Sequence, residues 1–176
     1  MGIFGDTAPM IIIGLFTTIA SFVLHLVGYA TPYWWKNDNA NLGLWQTCQE
    51  DKPLPAVCLS ISDLPSAVYP DQYKAAQALE TIAFVAYLAA VVSAVLKVFV
   101  MKNNGMVYVM TAMANFIGAL FGLIGLILFA TMSLGGQKLD SSKLHFSFAF
   151  CVVASFGGIV SGVLFVLAWR WVHLKQ

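Results

Sequence analysis

Residues Pro32–Cys58 read PYWWKNDNANLGLWQTCQEDKPLPAVC, the one long polar run that holds a Trp cluster and two cysteines. It separates the first of four apolar segments from the second, so it forms a loop on one side of a membrane. Asn37–Asn41 (NDNAN) is turn chemistry, flanked by the β-favouring Tyr33-Trp34-Trp35 and Leu42-Gly43-Leu44-Trp45, and that predicts a hairpin. After Cys48, Glu50-Asp51-Lys52 with Pro53 and Pro55 form a second turn, and Val57, Leu59 and Ile61 then alternate with Cys58, Ser60 and Ser62 as in a strand. A loop of this size has no core of its own. The expected form is a small twisted antiparallel sheet resting on the helix ends.

The remainder of the chain has the composition of a membrane protein. Hydrophobic residues make up 60% of the 176 and charged residues 10%, against roughly a quarter charged in soluble domains. A net charge of +1 offers no basic surface to neutralise phosphates, which excludes nucleic acid as a partner. No C-x-x-C, H-E-x-x-H or G-x-S-x-G motif occurs and no pair of carboxylates lies inside the apolar segments. Neither catalysis nor a cofactor or metal is therefore expected. A membrane thiol oxidoreductase needs a second reactive cysteine pair, which three Cys cannot supply. An autonomous channel needs polar groups along its helices, and these are almost wholly apolar.

The expected architecture is an all-α transmembrane four-helix bundle with the sheet on one side. Residues 1–9 hold a single charge, Asp6, and lack the basic flank and cleavage site of a signal peptide, so they are read as a cytoplasmic N-terminus. The first helix is 10–30, long enough at 1.5 Å per residue to cross a hydrocarbon core of about 30 Å. The first outer loop is 31–71. Helix formers then run over 72–101 behind Pro70-Asp71, where Asp71 is placed to cap free amides. This second helix exceeds the membrane thickness, so its first turns (DQYKAAQALE) are expected to project outward and support the sheet. Ala86, Ala90 and Ala94 give it a face for close packing, and Lys97 can snorkel to the far interface. A cytoplasmic turn at 102–105, a third helix at 106–134, a second outer loop at 135–143, a fourth helix at 144–169 and a cytoplasmic tail at 170–176 complete the chain. Gly118, Gly122, Gly125, Gly158 and Gly162 are read as packing devices. His25, with no carboxylate nearby in sequence, and Cys151, inside an apolar run, are read as packing residues.

Charge bias sets the orientation. Lys97, Lys102, Arg170 and Lys175 cluster on one side, whereas the other spreads five Lys among seven acids. The positive-inside rule then places both termini in the cytoplasm and the Trp/Cys loop outside. In that oxidising compartment a Cys48–Cys58 disulfide contributes up to about 3 kcal/mol in the chain-entropy model.

The order Pro32-Tyr33-Trp34, Gly43-Leu44-Trp45, Cys48, Cys58, with nine residues between the cysteines, resembles the W-GLW-C-C signature of the claudin superfamily. Tyr73-Lys74-Ala75-Ala76-Gln77-Ala78-Leu79 is similar to the claudin stretch L-Q-A-A-R-A-L at the outer end of the second helix, with Gln77 where claudins carry Arg. The four-span layout extends the likeness over essentially the whole chain. Eight residues separate Trp34 from Gly43, a shorter hairpin than that of pore-lining claudins. In this it resembles the peripheral myelin and epithelial membrane protein branch and invertebrate claudin-like proteins. The ending WVHLKQ lacks the Tyr-Val tail that binds PDZ scaffolds.

The resemblance implies that Trp34 sits at the outer membrane boundary and that Gly43-Leu44-Trp45 fixes the sheet onto the bundle. It leaves Lys36, Asp38, Glu50, Asp51 and Lys52 in exposed turns as candidate contact surface. Two functions follow. One is a cell-contact or paracellular-barrier element of the plasma membrane that associates with itself in cis or trans. The other is an auxiliary subunit whose bundle packs against a channel or receptor, as in the related glutamate-receptor regulatory subunits.

Overall fold

The computed structural model describes residues 9–49, 57–63, 69–101, 104–134 and 137–173. Four helices, α1 (Pro9–Ala30), α2 (Asp71–Phe99), α3 (Met106–Thr131) and α4 (Phe146–His173), form the bundle, and each is long and apolar enough to cross a membrane. Their buried positions step alternately by three and four residues. In α1 the stripe runs Ile11, Gly14, Thr18, Ser21, His25, Gly28, and in α2 it runs Tyr73, Ala76, Glu80, Ala83, Tyr87, Ala90, Ala94. A repeat of 3.5 residues is a coiled-coil seam, and it selects near-antiparallel, left-handed packing of neighbours. Small residues dominate these seams, so dispersion and backbone proximity hold the helices where lipid removes any hydrophobic drive. A Cβ at Gly118 of α3 would press on the Tyr87 ring at 3.0 Å, and one at Gly158 of α4 would meet the Tyr87 hydroxyl at 2.7 Å. The Tyr87 hydroxyl in turn donates to the Ala154 carbonyl at 3.2 Å.

The loop between α1 and α2 contributes a four-stranded antiparallel sheet in the order β1 (Trp35–Lys36), β2 (Ala40–Leu42), β3 (Gln46–Gln49), β4 (Val57–Ser60). Register pairs Trp35 with Leu42, Asn41 with Cys48, and Cys48 with Cys58. The hairpin turn at 37–39 is closed by the Asn37 amide donating to the Ala40 carbonyl at 2.7 Å. A second, two-stranded ribbon pairs β5 (Ser133–Leu134) with β6 (Gln137–Lys138).

Several local expectations are corrected. The third helix ends at Thr131 rather than 134, because Met132 is extended and leads into β5. The fourth starts at Phe146 rather than 144, because Leu144 bridges to Trp35 and the His145 amide donates to the Trp34 carbonyl at 2.9 Å. At the start of α2 the cap position is Pro70, with no side-chain cap, and Asp71 instead lies 3.6 Å from Lys74. Ala86 is only half-buried, since the true seam passes through Ala83 and Tyr87. Lys97 reaches the turn beyond α2, but through the interior of the bundle. It is buried, donates to the Met101 and Asn104 carbonyls at 3.3 and 3.0 Å, and sits 4.0 Å over the Tyr108 ring. There it neutralises the carbonyl end of α2.

Candidate functional site: the sheet and the layer beneath it

The sheet is joined to the bundle by the motif residues. Trp34 is fully buried within the fold. Its Nε1 donates to the Gly28 carbonyl at 2.7 Å, and its ring meets Phe129 at 4.8 Å and Phe148 at 5.7 Å. One side chain from the loop thereby contacts α1, α3 and α4. Aromatic burial of this kind dominates local packing energy, and the indole N–H demands the partner it finds. Gly43 permits close approach: a Cβ there would overlap Pro32 and the Thr31 carbonyl. The carbonyls of the tight turn are then taken up by α2. Tyr73 donates to the Gly43 carbonyl at 2.5 Å and lies 3.0 Å from that of Leu44, and Gln77 Nε2 donates to the Leu44 carbonyl at 2.5 Å. The glutamine standing where claudins carry Arg therefore holds the turn. Leu44 is fully buried, while Trp45 is part-exposed and meets the Tyr29 ring edge-on at 5.2 Å. Tyr69 stacks on Tyr73 at 4.8 Å, and burial pushes its hydroxyl pKa up.

The two edges of the sheet differ. At the β1 edge the segment before α4 is tied on: Trp35 Nε1 donates to the Asp140 carbonyl at 3.1 Å, and Lys143 Nζ donates to Asn37 Oδ1 at 2.8 Å. Asp140 orders this segment, accepting from the Ser142 hydroxyl and amide at 2.8 and 3.0 Å. Those bonds hold its carboxyl below the ordinary carboxylate range. At the other edge β4 carries Val57 and Leu59, 61% and 49% exposed, and no described strand pairs with its outer side. The Cys48–Cys58 disulfide fastens this edge strand to β3.

Of the candidate contact residues, Lys36 and Asp38 are exposed and line a shallow polar groove with Asn37, Ser142, Lys143 and His145. Glu50, Asp51 and Lys52 lie outside the described residues.

One group of chemistry-bearing residues escaped the sequence reading. His25, Glu80 and Cys151 meet beneath the sheet, all fully enclosed, with one ligand-capable atom from each lying within 4.8 Å of the others. His25 Nε2 is 3.3 Å from the Glu80 main-chain carbonyl and 3.7 Å from Glu80 Oε2. The carboxylate expected to project outward is instead on the buried seam. The signal was available: Tyr73, Ala76, Glu80, Ala83 and Tyr87 follow the 3-4 rhythm that defines a buried stripe.

Fold and site together define a four-span membrane protein whose loop between the first two spans is a disulfide-closed sheet. The profile of the PMP-22/EMP/MP20/Claudin family matches residues 8–165, and the chain belongs to that family. No curated protein matches the chain significantly.

Proposed function

We propose that this claudin-family protein organises contacts at the plasma membrane, with its sheet outside, both termini in the cytoplasm, and copies associating side by side through the β4 edge. The observation that carries the reading is the asymmetry between the edges. An edge strand offers backbone donors and acceptors to another chain, and proteins that avoid such pairing guard it with Lys, Pro or a covering segment. The β1 edge has its covering segment and a lysine, whereas the four residues of β4, Val-Cys-Leu-Ser, carry no charge. Lys36 and Asp38, at the other end of the sheet, are then placed to meet an opposing membrane protein. Only three residues, 37–39, separate β1 from β2, and this favours a barrier or spacer over an ion-selective pore.

The test is purification of the full-length chain from its own membranes in a gentle detergent, with sizing and mass spectrometry of the complex. Self-association into multimers supports the proposal. Elution with one stoichiometric channel or receptor subunit contradicts it and makes the protein an auxiliary subunit.

A further inference from the structure

We propose that His25, Glu80 and Cys151 form a binding site for one borderline-soft divalent cation of the zinc class, buried in the bundle beneath the sheet. Three observations converge. The ligand atoms come from α1, α2 and α4 and already lie within 4.8 Å of one another. Tetrahedral zinc with bonds of about 2.0–2.3 Å places its ligands roughly 3.3–3.8 Å apart, and the 3.7 Å between His25 Nε2 and Glu80 Oε2 is of that size. Second, both carboxylate oxygens of Glu80 are buried with no hydrogen-bond partner, although a carboxylate enclosed among apolar helices demands one. Third, two glycines make the room. A Cβ at Gly125 of α3 would stand 2.7 Å from Glu80 Oε1, and one at Gly28 of α1 would overlap Cys151 Sγ.

The donor set names the ion class. Imidazole, carboxylate and thiolate together suit zinc or its cobalt substitute and not magnesium or calcium, which take oxygen ligands. Charge closes as well: a dication with one carboxylate and one thiolate is neutral, which a low-dielectric interior favours. Binding forms the metal–sulfur bond and releases the thiol proton, with no change of oxidation state. His25 is five residues from the sheet end of α1 and Cys151 five residues into α4, so the ion lies about 8 Å below the helix ends. From there it would tie three helices together under the sheet.

The experiment uses tag-free, full-length protein in lipid nanodiscs. Metal content is measured by mass spectrometry, and titrations with Zn²⁺ and Co²⁺ are followed by thermal unfolding and by the thiolate-to-cobalt absorption band. We expect about one ion per chain and a thiolate band with cobalt. In Cys151→Ala the band disappears and zinc affinity falls by more than about 100-fold, since even residues behind the ligands cost 10–100-fold. Glu80→Gln is expected to lose zinc similarly while retaining Cys151. Cys151→Ala leaves the His25–Glu80 pair intact, so it reports on metal even where Glu80→Gln fails to fold. Absence of a stoichiometric ion, or unchanged zinc binding in a folded Cys151→Ala protein, overturns the proposal.

Discussion

The two edges of the sheet are built from similar short strands, yet among the described residues one is covered and the other is open. At β1, the indole of Trp35, the Asp140 carbonyl, the Lys143 ammonium and the Leu144 bridge tie the α1–α2 loop to the α3–α4 loop. At β4, the ladder to β3, the disulfide and the Ile61 amide on the Trp45 carbonyl hold the inner side, and two aliphatic side chains are left exposed. Packing therefore fixes where the sheet sits, while the ladder and the disulfide together hold β4, whose outer side no described strand covers. On the proposed function, anchoring and association fall to separate residues, and substitution can separate them.

The largest effect is expected at the anchor. Trp34→Ala removes a fully buried ring and strands the Gly28 carbonyl, and should cost about 3–5 kcal/mol, read as unfolding in detergent and loss of surface expression. If stability were retained, the locked side of the comparison would fail. Opening the disulfide acts on the other side. Cys48→Ser with Cys58→Ser should cost up to about 3 kcal/mol and, unlike Trp34→Ala, should free β4 to protease while the bundle stays folded. Smaller still is Gln77→Ala, which removes one donor to the Leu44 carbonyl while Tyr73 still contacts it. A loss of about 1 kcal/mol is expected, and none would mean that Tyr73 alone holds the turn.

Asp140→Asn is the mildest. Because the Ser142 bonds lower the Asp140 pKa from its ordinary 3.8, the charged carboxylate stabilises the segment above that value and loses its advantage as pH falls through the lower folded value. The wild-type protein should thus lose more stability in acid than the Asn variant, and the gap between them should be constant at neutral pH. A gap that changes near neutrality would place the stabilisation elsewhere.

Much of this was legible in the sequence. Spans of apolar residues gave four helices, turn chemistry at 37–41 gave the first hairpin, and the cysteines fell on facing positions of β3 and β4. What failed depended on partners distant in sequence. Nothing local in the sequence shows that Phe129 and Phe148 enclose the Trp34 indole. Glu80 was read with the projecting turns of α2, and its meeting with His25, 55 residues away, has no local trace. The 3-4 rhythm did hold that information, but counting small residues every four positions selected Ala86 and missed the seam. Asp71 failed for a local reason: the chain before α2 is already fixed by Pro70, whose carbonyl accepts from the Tyr73 amide at 2.9 Å.

The central claim is that the open edge carries association, and it is tested most directly by cross-linking full-length protein in intact cell membranes. Wild type, Leu59→Lys and Lys36→Glu are compared at equal surface expression. Leu59→Lys places a charge on the open edge, where it changes fold stability little, and it should abolish the ladder of cross-linked multimers. Lys36→Glu, on the locked edge, should leave the ladder intact. A ladder that survives Leu59→Lys, or one that is lost only with Lys36→Glu, would contradict the account.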